Sequence, residues 1–307
     1  MRPPSASEPQ GTAGAPAARP RRSALYMPAA NARAMDKART LACDVVILDL
    51  EDAVAPDAKV EAREAACAAV AEGGFGAREV VIRINSLSSE WGQADLAAAV
   101  SAAPDAILVP KIDGPEDLAP YTQGLPPGVA LWAMVETCAS LFRLEPLAAA
   151  AVDHGLTTLV VGTNDLAKEM RCRPDVDRAP LLGPLSLMVA AARAHGLVIL
   201  DGVYNAIDDD PGLARQCAQG AAFGFDGKTL IHPRQIETAN RAFTPDPEAV
   251  DWARKVAEAF DLPENTSRGV IRVEGRMVER LHLDEALRLI AVARAIEEVS
   301  RAPGDTG

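Results

Sequence analysis

Short apolar runs alternate with longer, alanine-rich amphipathic stretches along most of this chain. The runs are continuously apolar, which is typical of parallel strands buried on both faces. We predict eight strands, at 23–28, 45–51, 79–85, 105–111, 129–136, 157–162, 197–202 and 221–227. Helices are predicted near 31–42, 57–72, 90–102, 114–122, 137–152, 180–195 and 208–219. This α/β pattern predicts a (β/α)8 TIM barrel, and no Gly-x-Gly-x-x-Gly motif follows the first strand to favour a dinucleotide-binding fold.

The two ends of the chain differ from the barrel pattern. Residues 1–22 are rich in Pro, Ala, Gly and Ser, which predicts a disordered tail before a barrel at 23–240. Residues 241–300 predict a C-terminal appendage, with a glycine-turn hairpin over 266–279 and a periodic helix over 281–299. It is small for an independent domain, so we expect it to pack on its own barrel or on a neighbouring subunit. Residues 301–307 predict a frayed end.

Composition excludes several classes of function. The chain has 307 residues, a formal net charge of -12 and no basic stripe, which argues against a nucleic-acid partner. No apolar run approaches the length of a membrane span. The five cysteines are odd in number and form no Cys-x-x-Cys pair, so neither a disulfide framework nor a zinc site is expected and a cytoplasmic location is favoured.

Carboxylates gather at the predicted carboxyl ends of the strands, where barrel enzymes place their chemistry. Asp49, Glu51 and Asp52 end the second run, and Glu136 and Asp165 follow the fifth and sixth. Carboxylates without histidine or cysteine favour a hard cation, Mg2+ or alternatively Mn2+. We predict Glu136 and Asp165 as the ligands, with a helix N-cap as the alternative role for Asp165.

Arg83 lies inside the third apolar run, and two roles are open for it. One is a structural ion pair with a carboxylate of the second strand. The other is bidentate capture of a substrate carboxylate. A divalent cation and an arginine together would bind a 2-oxo or 2-hydroxy acid, which favours enolate chemistry assisted by the metal.

Eight motifs follow one another along the chain. They are RSALYMPAANARAMDKA, DVVILDLEDAV, VIRINS, ILVPKI, MVET, VVGTNDLAKEM, ILDGVYNAIDDDPGL and GFDGKTLIHPRQI. In this order they resemble the citrate lyase beta-subunit-like, or malyl-CoA (citramalyl-CoA) lyase, family of the HpcH/HpaI aldolase superfamily over about residues 22–300. The resemblance implies a homotrimer or homohexamer. It also implies Mg2+-dependent carbon–carbon cleavage of a citramalyl-CoA, malyl-CoA or citryl-type thioester into an acetyl thioester and a 2-oxo acid.

The resemblance also implies roles for individual residues. Glu136 and Asp165 match the magnesium ligands, and Arg83 matches the arginine that binds the substrate carboxylate. Glu51 and Asp52 match carboxylates that lie beside the metal. Tyr26, Arg33 and Lys37 match residues that contact the substrate or the CoA phosphates.

The chain departs from the family at one position. Lyases and thioesterases of the family place an aspartate after a Gly-x-Met-Ile/Val pattern in the appendage, where Glu279 stands here. Glu279 keeps the carboxyl group with one more methylene, and we predict it as the catalytic acid, with a surface residue in a member of altered chemistry as the alternative. Three alternatives stay open: a thioesterase on the same substrates, an aldolase on free 4-hydroxy-2-oxo acids, and a citrate lyase beta-type subunit that holds an acyl-carrier protein.

Overall fold

The computed structural model describes residues 19–301, which divide into two compact units, Arg21–Thr244 and Pro245–Arg301. The predicted tail lies outside the described residues up to residue 18, and the predicted frayed end lies outside them from residue 302. Arg21 and Arg22, which the sequence assigned to the tail, form ion pairs with Glu79 and Asp44. The structured chain therefore includes the two residues before the first strand.

Eight parallel strands close into a barrel in the first unit. Each strand pairs with the next along the chain, and the first pairs with both the second and the eighth. The predicted TIM barrel is therefore confirmed. The strands are β1 (Ser23–Pro28), β2 (Val45–Asp49), β3 (Glu79–Arg83), β4 (Ala106–Val109), β5 (Ala130–Val135), β6 (Leu156–Val161), β7 (Val198–Asp201) and β8 (Gly227–Leu230).

Helices fill the connections between the strands. The predicted helix over 137–152 is divided into three short helices. The helices of this unit are α1 (Ala32–Ala38), α2 (Lys59–Glu72), α3 (Gly92–Ala102), α4 (Ala119–Thr122), α5 (Cys138–Leu141), α6 (Leu144–Ala149), α7 (Ala151–His154), α8 (Thr163–Glu169), α9 (Leu182–Ala194), α10 (Asp210–Phe223) and α11 (Ile236–Phe243).

The barrel strands bury both of their faces. Tyr26 and Trp132 belong to the core inside the barrel, whereas Leu25 and Met27 belong to the core between the barrel and its helices. Successive strand residues point to opposite faces, so a strand buried on both sides is apolar at most of its positions. This double burial is the physical reason for the continuous apolar runs in the sequence.

The predicted eighth strand, 221–227, is wrong. Its first three residues complete α10, which ends where Gly224 adopts the left-handed conformation at φ 94°. The true strand, β8, contains Lys228, which is fully buried and bonds to Asp201 at 2.9 Å. A buried lysine interrupts the apolar pattern, so the periodicity of the sequence could not locate this strand.

The second unit contains two helices and a hairpin: α12 (Pro247–Asp261), β9 (Val270–Val273), β10 (Arg276–Glu279) and α13 (Arg280–Arg301). The two strands are antiparallel, with a turn at Glu274 and Gly275, both at positive φ. Phe260 and Val278 pack in its small apolar core. The predicted hairpin and terminal helix are confirmed. No helix within residues 19–301 combines the length and the apolar character needed to cross a bilayer.

Candidate active site

A cavity of about 250 Å³ opens at the carboxyl ends of the barrel strands. Because parallel strands end at the same edge, residues far apart in sequence converge here. Five of the predicted site residues line it: Tyr26, Asp52, Arg83, Glu136 and Asp165.

A larger cavity, of about 460 Å³, lies near the amino ends of β3, β4 and β5. Its arginine, Arg78, already donates to the carbonyls of Leu41 and Phe75. Barrel enzymes place their chemistry at the opposite, carboxyl face. The smaller cavity is therefore the candidate active site.

Arg83 is the buried cation of this cavity, with 5% of its surface exposed. Its Nε and Nη2 donate to the two carboxylate oxygens of Asp49 at 2.7 and 2.6 Å. Its Nη1 lies 2.9 Å from Glu51 Oε2 and 3.3 Å from Asp52 Oδ2. The guanidinium also stacks 4.6 Å from the centre of the Tyr26 ring. Of the two roles left open by the sequence, the ion pair with the second strand is present, and a substrate carboxylate would have to use the second N–H of Nη2 or share Nη1 with Glu51 and Asp52.

These contacts explain how three carboxylates can crowd at one strand end. Asp49 is fully buried, and it also accepts the backbone N–H groups of Glu51 and Ala53 at 2.9 and 3.2 Å. Asp52 has 73% of its side chain exposed and is solvated. The Glu51 side chain is more exposed than that of Asp49 and less exposed than that of Asp52. Asp49 was not among the predicted site residues, although its place at the end of an apolar run was a signal for it.

Of the carboxyl groups at this cavity, Glu51 has the most strongly raised pKa, so its charged form is the least favourable. Burial is the main cause, opposed by Arg83 and reinforced by Asp52, and it raises the pKa of Glu51 to about 8. Glu51 therefore carries a proton near neutral pH in the metal-free protein. A protonated carboxyl beside a cavity is a candidate general acid.

Glu136 follows β5 directly and is 3% exposed. Its Oε1 accepts the backbone N–H of Lys111 at 2.8 Å. A side chain at position 162 would clash with it, because a Cβ on Gly162 would lie 2.3 Å from Glu136 Oε2. Burial, with a smaller contribution from Asp165, raises the pKa of Glu136 to about 7, although the Lys111 N–H and Arg83 oppose the shift.

Asp165 is the third residue of α8, and Gly162 occupies the N-cap position of that helix. The N-cap alternative for Asp165 is therefore wrong. Its carboxylate has no hydrogen bond or ion pair to any residue in the range 19–301. A half-buried carboxylate without a protein partner, beside a second carboxylate, is suited to bind a cation.

The donor set fits magnesium. No group of three or more His, Cys, Asp or Glu side chains within residues 19–301 is arranged to hold a metal. Magnesium commonly takes one or two protein carboxylates and completes its shell with water and substrate. Glu136 and Asp165 supply two such oxygens, and a divalent cation would relieve the repulsion between them.

Lys111 is a site residue that the sequence reasoning noted at a strand end but did not select. It adopts the left-handed conformation, at φ 55°, which is uncommon for a residue with a side chain. This conformation accompanies the N–H bond to Glu136, and the Lys111 ammonium lies 3.9 Å from Glu51 Oε1. The pairing depends on tertiary structure, so only the position after β4 could have indicated it.

The remaining predicted residues of the site lie in different parts of the structure. Tyr26 lies on β1 inside the barrel, and burial raises the pKa of its hydroxyl strongly. Arg33 and Lys37 lie one turn apart on α1, and both are exposed to solvent. Glu279 belongs to the second unit, where it ends β10 and its backbone N–H donates to His282 Nδ1 at 2.9 Å.

The chain is similar to known proteins of one family. A model of the HpcH/HpaI aldolase/citrate lyase family matches residues 22–233. A (3S)-malyl-CoA thioesterase of Cereibacter sphaeroides strain KD131 is 46% identical over 279 residues, which are 91% of this chain and 96% of that protein. The mitochondrial citramalyl-CoA lyase of Rattus norvegicus is 31% identical over 296 residues, which cover 91% and 88%. The crystal structure of protein CitE from Mycobacterium tuberculosis with magnesium, acetoacetate and coenzyme A is 30% identical. It has a TM-score of 0.71 and covers 91% of this chain and 99% of that one.

Proposed function

This chain belongs to the HpcH/HpaI aldolase/citrate lyase family, and we propose that it is a Mg2+-dependent enzyme acting on the CoA thioester of a malyl-type hydroxy acid. The observation that carries the proposal is the carboxylate pair Glu136 and Asp165, which lines one cavity with Arg83. A malyl or citramalyl group offers a hydroxyl and a carboxylate, which such a site would bind together. The CitE structure with magnesium, acetoacetate and coenzyme A supports a site that takes a metal, a small acid and coenzyme A.

Different side chains are proposed to bind the metal and the substrate carboxylate. Mg2+ held by Glu136 and Asp165 would supply Lewis-acid polarisation of the substrate oxygens. Glu136 is oriented for this by the N–H of Lys111. Arg83 would meet a substrate carboxylate through the second N–H of Nη2 or by displacing Asp52 from Nη1, because Asp49 already takes Nε and one N–H of Nη2.

Proton transfer is assigned to the carboxyl groups. Glu51, which contacts Arg83 beside the cavity, is the proposed proton donor, since burial keeps it protonated near neutral pH. Asp52 shares the Nη1 atom of Arg83 and moderates its charge. Glu279 is proposed as a further acid, in the place of the family's aspartate.

We propose thioester hydrolysis as the reaction. It is supported by the 46% identity to a malyl-CoA thioesterase, compared with 31% to the citramalyl-CoA lyase. A water oxygen attacks the thioester carbonyl and gives up a proton to solvent, from which Glu51 is later reprotonated, and the carbon–sulfur bond breaks. The leaving thiolate takes up a proton from Glu51, so the products are a free acid and the CoA thiol.

Carbon–carbon cleavage, the reaction expected from the sequence, is the second candidate. It is favoured by the lyase relative and by a protonated carboxyl near the metal pair. Here the substrate hydroxyl loses its proton, the carbon–carbon bond breaks, and the thioester enolate is protonated. The products are a 2-oxo acid and an acetyl thioester.

Two parts of the proposal concern partners. Tyr26, Arg33 and Lys37 are proposed to contact the substrate or the CoA phosphates, with an acyl-carrier protein as the alternative carrier. A homotrimer or homohexamer is proposed as the assembly, which light scattering on the purified protein would measure.

A product assay tests the reaction. Purified protein, Mg2+ and racemic malyl-CoA or citramalyl-CoA are incubated while free thiol and free 2-oxo acid are followed in parallel. Thiol without oxo acid establishes hydrolysis, and oxo acid without thiol establishes the lyase. Formation of neither product overturns the proposal. An excess of EDTA should abolish turnover, and Asp165→Asn should lower turnover at limiting Mg2+, which ties the products to the metal pair.

A further inference from the structure

Lys59 is a buried lysine in an unfavourable place. It is the first residue of α2 and only 5% exposed. The amino end of a helix carries partial positive charge, which disfavours a cation there. Burial also disfavours the charged form and lowers the pKa of Lys59. Its ammonium must therefore be held by specific bonds.

All three donors of that ammonium are used. Nζ donates to the carbonyl oxygen of Leu50 at 2.8 Å, to that of Glu51 at 2.7 Å and to Asn85 Oδ1 at 2.8 Å. Asn85 binds the same segment, because its Nδ2 donates to the Leu50 carbonyl at 2.8 Å. The bonds of Lys59 thus converge on two consecutive carbonyls rather than spreading through the core.

Asn85, which accepts a hydrogen bond from Lys59, is itself held by hydrogen bonds. Asn85 donates through its backbone N and its Nδ2 to Asp95 Oδ2, at 3.0 and 2.6 Å. Asp95 is fully buried and pairs with Arg63 Nε at 2.6 Å. Arg63 lies one turn beyond Lys59 on α2. A single hydrogen-bond and ion-pair network from α2, α3 and the end of β3 therefore holds the segment after β2 in place.

That segment carries the proposed proton donor. The Glu51 carbonyl, held by Lys59, also accepts the N–H of Val54 at 3.0 Å. The Glu51 side chain meets Arg83 Nη1 at 2.9 Å. We propose that Lys59 is a positioning residue, which holds the Glu51 carboxyl against Arg83 at the cavity. The inference rests on the proposed function insofar as Glu51 is assigned the proton transfer.

The kinetic test uses Lys59→Met and Lys59→Arg. A displacement of about 1 Å in a catalytic group can lower turnover about 100-fold, so we expect Lys59→Met to reduce kcat by about 10- to 100-fold. KM should change by less than about threefold, because the metal pair and Arg83 are untouched. Lys59→Arg keeps donors for the two carbonyls and should recover most of the lost turnover. If Lys59→Met does not fold, Lys59→Gln keeps one N–H2 donor and serves for the same comparison.

A matched control separates positioning from general stability. Arg22→Met removes another buried ion pair, with Asp44, at the amino-terminal face of the barrel. It should lower stability without changing kcat by more than about twofold. An equal loss of kcat in both variants would overturn the proposal, because it would show a merely structural effect.

A double variant tests whether Lys59 acts through Glu51. In a Glu51→Gln background, Lys59→Met should lower kcat by less than about twofold. A full, multiplicative loss in that background would show that Lys59 acts elsewhere, and the proposal would fail.

Hydrogen exchange gives a readout that needs no substrate. The N–H groups of Glu51 and Ala53 bond to Asp49, and that of Val54 bonds to the Glu51 carbonyl. Their exchange should accelerate about tenfold or more in Lys59→Met but not in Arg22→Met. Unchanged exchange refutes the positioning role. An inactive wild-type protein that shows the expected exchange pattern refutes only the proposed function.

Discussion

Replacing Glu136 by glutamine tests the electrostatics of the cavity without a substrate. The change keeps the shape of the side chain and the oxygen that accepts the Lys111 N–H, and it removes only the charge. Burial, with a contribution from Asp165, raises the pKa of Glu136 from 4.5 to about 7. The folded, metal-free protein therefore holds this proton more tightly than the unfolded chain does.

The direction and size of the effect follow from that difference. Both states are protonated below about pH 4.5, and stability falls as the pH rises through the folded pKa near 7. At 1.36 kcal/mol per pKa unit, the loss reaches about 3 kcal/mol and levels off at higher pH. Glutamine has no proton to lose. The free energy of unfolding of Glu136→Gln, relative to wild type, should therefore improve by about 2.5 kcal/mol between about pH 5 and about pH 8.5.

Urea denaturation with EDTA at the two pH values measures this shift. Glu64→Gln changes an exposed glutamate on α2 and should show no such pH dependence. Added Mg2+ should stabilise wild type, more strongly at high pH because the ligand must be ionised, and should stabilise Glu136→Gln far less. A stability difference that does not vary with pH would refute the argument from burial. Equal stabilisation of both proteins by Mg2+ would refute Glu136 as a ligand.

Four further perturbations test other parts of the site. Asp165→Asn should raise the Mg2+ concentration needed for half-maximal activity at least tenfold with little change in melting temperature, and an unchanged Mg2+ requirement would remove it from the metal site. Lys111→Gly relieves the positive φ and should raise stability by up to about 1 kcal/mol, whereas Lys111→Ala, which keeps the strain, should not. Asp49→Asn leaves Arg83 without its buried counter-charge and should cost about 3 kcal/mol in urea denaturation, and a neutral result would show that the pair is dispensable. Glu279→Gln should lower kcat at least tenfold while Glu279→Asp retains activity, and two fully active variants would exclude it as an acid.

Most of the barrel was predictable because its signal is local. An apolar run such as 45–49 and the amphipathic helix after it can be recognised within a short window of residues. The eighth strand was not, because Lys228 is buried through a bond to Asp201 that no local pattern shows. The continuation of α10 to Phe223 likewise depends on where the helix packs.

Part of the candidate site was also predictable from the sequence. Glu136, Asp165 and Arg83 were selected from their positions at strand ends, and the structure brings all three to one cavity. Lys59 and Lys111 were not selected. Their roles are carried by bonds to backbone groups, and a backbone carbonyl or N–H gives no signal in a sequence.

The amino-acid sequence by itself determined the strand–helix periodicity and the supply of carboxylates, because burial on two faces and residue chemistry are properties of short segments. The tertiary structure alone decided which charges meet. Asp49 and Arg83 are separated by 34 positions, yet they are register partners on the neighbouring strands β2 and β3. Strand register is set by the packing of the whole barrel. It therefore makes Arg83 the buried partner of Asp49 at the wall of the cavity.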